Sequence, residues 1–162
     1  MRFFAALLLG LVATAALAAE WTTYENARFG YVVDIPPGFV EDGPPPENGD
    51  GQLFRSADGT QLLRVYGGNI IDEDFQTAVR GAMQAARDAG WSLSYERATP
   101  RWTSYSGTRQ GMILYARGIA LCGGEQYASF EIEYPDDDLD AMHRVIDRLV
   151  ASLKASGNGI GC

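Results

Sequence analysis

The chain has 162 residues, of which 46% are hydrophobic and 21% are charged, a composition typical of one globular domain with a real core. Acidic side chains outnumber basic ones by 21 to 13, which gives a formal net charge of −8. A surface this acidic repels phosphate backbones and anionic lipid headgroups. The charge therefore argues against nucleic acid or a membrane surface as partner and favours basic proteins or cations.

The first residues, MRFFAALLLGLVATAALAAEW, have the pattern of a secretory signal peptide. Arg2 supplies a basic start, an apolar run begins at Phe3, and residues 16–18 form a small-residue cleavage site. An uncleaved anchor is the alternative, but the alanine-rich run barely reaches the roughly 20 residues that a span needs. No cysteine stands directly after the cleavage site, where a bacterial lipoprotein would carry its lipid. We expect cleavage after Ala18 or Ala19 and a periplasmic or secreted protein without a stable membrane anchor.

The segment after the leader predicts a strand and then a long surface connection. Tyr31, Val33 and Ile35 alternate with Val32 and Asp34, and the following IPPG stops the strand because proline cannot continue a ladder. The connection VEDGPPPENGDG is rich in turn formers and acids. A cation site built from its oxygen-bearing side chains is an alternative to a solvated connector, although the ligand spacing of a calcium loop is missing. Those side chains are Glu41, Asp42, Glu47, Asn48 and Asp50.

Hairpins and one amphipathic helix are predicted next. Asp58-Gly59, between GQLFRS and QLLRVYGG, is a strong hairpin signal because both residues tolerate positive φ. In DEDFQTAVRGAMQAARDAG the apolar positions recur at helical spacing, and we expect Asp72 to cap the start of the helix. Four strand candidates with short connections follow, at residues 91–97, 101–106, 111–121 and 126–134. Such spacing predicts an antiparallel meander.

The last predicted element is a helix over residues 137–156, within PDDDLDAMHRVIDRLVASLKASG. Its apolar stripe comprises Leu139, Met142, Ile146, Leu149 and Leu153. The acids at its start suit the positive end of the helix dipole. The element order indicates a single α+β domain over residues 19–156, preceded by the leader at 1–18 and followed by a flexible tail at 157–162.

Three stretches carry a resemblance to known proteins: NARFGYVVDIPPGF, ENGDGQLFRSADGTQLLRVYGG, and GMILYARGIALCGG with EIEYP before the final helix. Together they resemble small exported bacterial proteins of unknown function and the wider PsbP-like superfamily. The resemblance implies an α/β/α arrangement, a twisted and mainly antiparallel sheet of about six to seven strands flanked by helices. Members of that superfamily include extrinsic photosystem II proteins, envelope lipoproteins and a Ran-binding import factor, which act mostly by binding other proteins.

No catalytic, cofactor or metal motif is visible in the sequence. His143 is the one histidine, and its position on the final helix favours a surface role. Glu131 and Glu133 share one strand face and are weak candidates for acid/base chemistry. We interpret them instead as belonging to a solvated face or edge of the sheet. The aromatic residues of the meander are expected to lie mostly in the core, with some available to line a groove. They are Trp91, Tyr95, Trp102, Tyr105, Tyr115, Tyr127, Phe130 and Tyr134.

The two cysteines, Cys122 and Cys162, are candidates for a disulfide in an oxidising compartment. The strand at 126–134 runs roughly 30 Å away from Cys122, at about 3.3 Å per residue. The helix at 137–156 returns about 30 Å, which brings the tail near Cys122. An intramolecular bridge is therefore geometrically reasonable. An intermolecular bridge through Cys162 and two free thiols remain the alternatives.

These observations favour a non-enzymatic, protein-binding accessory domain that is monomeric and needs no cofactor. The alternative is a small-molecule or lipid binder with a pocket between sheet and helix. A hydrolase ranks third, because the sequence offers only scattered serines and Cys122 as partners for His143.

Overall fold

The computed structural model of the protein describes residues 20–157. The predicted leader and Cys162 lie outside the described residues, so cleavage and the Cys122–Cys162 pairing stay predictions. Within the described part, two α-helices are present, α1 (Phe75–Asp88) and α2 (Leu139–Ser152). The strands are β1 (Thr22–Asn26), β2 (Tyr31–Ile35), β3 (Phe39–Glu41), β4 (Gly51–Ser56), β5 (Leu62–Asn69), β6 (Ser92–Ala98), β7 (Trp102–Arg109), β8 (Met112–Leu121), β9 (Gln126–Pro135) and β10 (Lys154–Ala155).

The strands form two antiparallel sheets. The larger sheet has seven strands in the order β3-β4-β5-β9-β8-β7-β6, and the smaller one has three in the order β1-β2-β10. Strands β6 to β9 are sequential neighbours, which confirms the predicted meander. Two helices packed on antiparallel sheets confirm the α+β class. Within residues 20–157, no helix combines the length and the apolar character that crossing a bilayer requires.

The main core lies between one face of the large sheet and a layer made of β2 and α2. Alternate residues of each strand point into it, because side chains alternate across a pleated sheet. Tyr31, Leu63, Phe130 and Leu149 are completely buried there. Burying each such side chain contributes roughly 1.5–3 kcal/mol relative to exposure. The small sheet is thus attached to the large one through a shared apolar layer.

A second, smaller core lies on the other face of the large sheet, beneath α1. Met83 of the helix packs with Trp91, Tyr105, Leu114 and Ala116. This cluster occupies the β6–β8 side of the sheet, so the helix shields apolar side chains of that face from solvent.

The predicted β4–β5 hairpin is present, although only one of its two turn residues needs positive φ. Gly59 has φ 77° and donates its N–H to the carbonyl of Ser56 at 2.8 Å. Asp58 instead accepts hydrogen bonds from the Ser56 hydroxyl at 2.6 Å and the Thr60 amide at 3.1 Å. These bonds, led by the one from Ser56, lower the pKa of the Asp58 carboxyl.

Two helix-end predictions were wrong. The cap of α1 is Asp74, not Asp72: its carboxylate accepts the Thr77 amide at 2.7 Å, the standard geometry that satisfies an orphan donor of the first turn. Helix α2 ends at Ser152, four residues before the predicted end, because Leu153 turns extended at ψ 111°. The chain then continues as β10 and pairs with β2.

Candidate functional site

A cavity of about 240 Å³ lies between the first half of α1 and the large sheet; we call it the α1 cavity. The helix contributes Phe75, Val79 and Ala82 to its wall, and the sheet contributes polar side chains. The sheet residues that line it are Tyr66, Thr103, Tyr105, Tyr127 and Ser129. Space remains here because the helix positions that face the sheet include Ala78 and Ala82, whose side chains are too small to fill it.

Glu131 lies at the centre of the polar network beside this cavity. Its Oε1 accepts hydrogen bonds from the hydroxyls of Tyr66 and Tyr105, each at 3.0 Å. Its Oε2 lies 2.7 Å from Nη1 of Arg64. A carboxylate that accepts three bonds in a partly buried site is a strong organising group, because bonds to charged acceptors are shorter and stronger than neutral ones.

The predicted solvated position of Glu131 and Glu133 was wrong. Their side chains are only 18% and 21% exposed, because Arg64, Tyr66 and Tyr105 pack against Glu131 and Arg109 packs against Glu133. Glu133 forms a longer ion pair with Arg109, at 3.5 Å. The sequence shows that the two glutamates share a face, but not which polar residues on neighbouring strands lie opposite them.

Burial raises the pKa of the Tyr66 and Tyr105 hydroxyls, and the nearby charge of Glu131 raises both further. The pKa of Tyr127 is raised as well, first by burial and then by the charges of Asp50 and Glu131. The three hydroxyls therefore stay protonated at neutral pH and do not serve as bases. Tyr66 and Tyr105 act as hydrogen-bond donors to Glu131.

A second surface lies on the opposite face of the large sheet, at the β6–β8 end; we call it the open face. It comprises Tyr95, Arg97, Trp102, Ser104 and Arg117, which the strand register places side by side. Tyr95 is 44% exposed, and Arg97 is exposed as well. These residues share the sheet face of the main core but lie beyond its buried part.

Arg117 organises the open face. Its guanidinium carbon lies 4.3 Å from the centre of the Trp102 ring, and its Nη1 donates to the Ser104 hydroxyl at 3.2 Å. Its Nε is buried without a hydrogen-bond partner among the described residues. Burial lowers the pKa of this guanidinium, although an arginine stays charged at any physiological pH.

The open face continues into a groove of about 440 Å³ beside α2. Ile113 and Tyr115 line the groove from the sheet, and Ile146 and Val150 line it from the helix. His143 also lines it and is exposed. No serine, threonine or cysteine donates a hydrogen bond to His143 among the described residues, so the geometry places no activated nucleophile beside it.

The acidic connection near the start is held by its own contacts. Asp42 forms an ion pair with Arg55 at 2.7 Å, and Asn48 donates to Asp50 at 2.7 Å. Within residues 20–157, no three histidine, cysteine or carboxylate side chains converge as a metal site requires. The predicted alternative of a cation site in this loop gains no geometric support.

Cys122 begins the short 3₁₀ turn Cys122–Gly124 that joins β8 to β9, and it is half-buried. Its predicted partner Cys162 lies outside the described residues, so the Cys122–Cys162 bridge stays a prediction.

Comparison with known proteins identifies the fold. No protein-family profile and no curated protein sequence match the chain. Solved structures do: cyanobacterial PsbP (CyanoP) from Synechocystis sp. PCC 6803 is similar over 91% of this chain and 98% of its own, with 17% identity and a TM-score of 0.65. The Ran-binding protein Mog1p of Saccharomyces cerevisiae is similar over 86% of this chain and 97% of its own, with 10% identity and a TM-score of 0.62. The chain therefore has a PsbP-like fold, shared with CyanoP and Mog1p.

Proposed function

We propose that this protein is a non-enzymatic, exported accessory domain that binds another protein through the open face. The observation that carries the proposal is the arginine–tryptophan pair of Arg117 and Trp102, with Tyr95 exposed beside it. Tryptophan, tyrosine and arginine are the residues enriched at the energetic centres of protein interfaces. Rigid aromatic groups on a strand lose little conformational entropy when a partner binds.

The local charge of the open face indicates the chemistry of the partner. The five residues of the open face include Arg97 and Arg117 and no carboxylate, and Asp147 lines only the adjoining groove, although the whole chain has a net charge of −8. Contacts at short range depend on the local charges, whereas net charge mainly governs approach. The segment that docks here is therefore acidic, in contrast to the basic partner that net charge alone favours.

The comparisons support the class of function without assigning a partner. One structural neighbour is described as Ran-binding, so this fold serves protein recognition in at least one setting. At 10% identity the likeness concerns the fold alone. Periplasmic or secreted location belongs to the proposal and rests on the leader sequence.

Capture experiments with matched variants test this proposal. Immobilised protein is incubated with periplasmic extract of the source organism, and bound proteins are eluted with salt. We expect the wild type to retain a partner that salt elutes. The amount of that partner captured should fall at least about tenfold with Tyr95→Ala and with Arg117→Ala. Arg80→Ala, an exposed arginine on α1 at the other side of the sheet, is the control. Equal capture by all four proteins would reject the open face as the binding surface.

A second candidate function, binding of a small molecule, is favoured by the α1 cavity. Its volume of about 240 Å³ is below the roughly 300–1,000 Å³ typical of pockets for larger ligands. A lipid chain therefore does not fit, and a compact molecule with one ring does.

A further inference from the structure

Four hydroxyl groups in the polar wall of the α1 cavity, those of Tyr66, Thr103, Tyr105 and Ser129, have hydrogens that are already engaged. Tyr66 and Tyr105 donate to Glu131. Ser129 donates to the carbonyl of Arg117 at 2.8 Å, and Thr103 donates to the carbonyl of Arg97 at 2.9 Å. A hydroxyl that has donated its hydrogen still has acceptor lone pairs. These four hydroxyls therefore offer a ligand acceptors rather than donors.

These acceptors are close together and lie in a negative environment. The Tyr66 and Tyr105 oxygens share one acceptor atom at 3.0 Å each, so they cannot be more than about 6 Å apart. Glu131 lies directly behind them, and Glu73 lines the cavity from the helix side. Arg64 contacts the far carboxylate oxygen and is 43% exposed, so water screens its opposing charge.

The remaining wall is apolar and aromatic. Phe75 is 4% exposed and Val79 is 7% exposed, and both line the cavity. Aromatic rings attract cations through their negative faces, by about 0.5–2 kcal/mol depending on desolvation. A positively charged head near the hydroxyls and an apolar body against these side chains would complement both parts of the cavity.

We propose that the α1 cavity binds a small primary amine with a compact apolar body. The ammonium group donates its hydrogens to the oxygens of Tyr66, Tyr105 and Ser129. The apolar body, a single ring, packs between Phe75 and Val79. This inference deepens the second candidate function and rests on it. It is independent of the open face, which lies on the opposite side of the sheet.

Titration with three probes of nearly equal shape tests the ligand class. Benzylamine has the ammonium group, benzyl alcohol replaces it with a neutral donor, and ethylbenzene replaces it with a methyl group. Each is added at pH 7 to ¹⁵N-labelled protein, and amide chemical shifts are followed by NMR. We expect benzylamine to bind with a dissociation constant on the order of 1 mM or below. The chemical-shift changes caused by benzylamine should centre on the amides of Ala82, Ser129 and their neighbours. Ethylbenzene should bind at least about tenfold more weakly.

Cavity-filling variants locate the site. Ala82→Leu places a larger side chain in the cavity and should abolish the benzylamine shifts. Ala78→Leu, at the neighbouring lining position, provides the same test if the first variant folds poorly. Ala85→Leu makes the same change on the exposed side of α1 and should leave binding intact. Binding that survives both filling variants would overturn the location of the site.

The comparison of the three probes tests the amine class of the ligand separately from small-molecule binding as such. Ethylbenzene or benzyl alcohol binding as tightly as benzylamine would overturn the amine class while leaving small-molecule binding in place. Absence of shifts with all three probes would reject both the amine proposal and the second candidate function.

Discussion

Replacing Glu131 by leucine should destabilise the protein far more than the same replacement two residues later, at Glu133. Both carboxylates lie on the α1 face of β9 and have similar exposure, 18% and 21%. They differ in their partners. Glu131 accepts from two tyrosine hydroxyls and one arginine, whereas Glu133 has one ion pair within residues 20–157, at 3.5 Å.

The size of the stability loss follows from the hydrogen-bond donors that Glu131→Leu leaves without an acceptor. Without Glu131, the hydroxyls of Tyr66 and Tyr105 lose their acceptor in a buried site, at about 1–1.5 kcal/mol each. The Arg64 pair adds about 0.5 kcal/mol, because that arginine is 43% exposed. The expected loss in the free energy of unfolding is therefore about 3 kcal/mol, or roughly 6–12 °C in Tm. For Glu133→Leu we expect less than about 1 kcal/mol.

Urea denaturation followed by circular dichroism measures both losses. A double-mutant cycle refines the assignment, because Tyr105→Phe should cost about 1 kcal/mol alone and close to nothing once Glu131 is leucine. A Glu131→Leu protein within 1 kcal/mol of the wild type, or one no less stable than Glu133→Leu, would refute the assigned role of the network. Additive effects of the Glu131 and Tyr105 changes would refute the proposed hydrogen bond.

Three further predictions concern local features. Asp74→Ala should lower the free energy of unfolding, measured by urea titration, by about 0.5–2 kcal/mol through loss of the helix cap. Asp72→Ala should have almost no effect in the same titration, and a larger loss from Asp72→Ala than from Asp74→Ala would contradict the cap assignment. The raised pKa of Tyr66 contributes stability that is fully present below its ordinary pKa of about 10 and is lost as pH rises above that value; Tyr66→Phe should flatten the stability profile between pH 10 and 11, and an unchanged slope would contradict the shift. A Cys122–Cys162 bridge should appear in non-reducing mass spectrometry as a monomer lighter by the mass of two hydrogens, whereas two alkylatable thiols or a disulfide-linked dimer would exclude it.

Much of the fold follows from local sequence patterns. The turn at Asp58-Gly59, the alternation in β9 and the short connections of the meander are interactions between near neighbours in the chain, so they can be recognised without the structure. The end of α2 could not be recognised in this way. Its stop depends on the pairing of β10 with β2, more than 100 residues earlier.

The candidate sites were harder to predict because they depend on strand register. Arg64 lies directly opposite Glu131 in the β5–β9 pair, and Ala116 lies between Glu131 and Tyr105 across β8. The alternation of Arg64 and Tyr66 with Leu63 and Val65 was visible in the sequence and could have suggested a polar second face. Only the tertiary structure shows which strands are neighbours and that α1 covers the β6–β8 side of this face.

The pairing of β10 with β2 makes completion of the fold a late event for a chain that emerges from its N-terminal end. Strand β2 can pair with β1 early, but its other edge remains unsatisfied until residues 154–155 have appeared. An unsatisfied strand edge is a site for mispairing with other chains. A truncation just before Lys154 should therefore yield a protein that forms the large sheet yet aggregates through the unpaired edge of the small one.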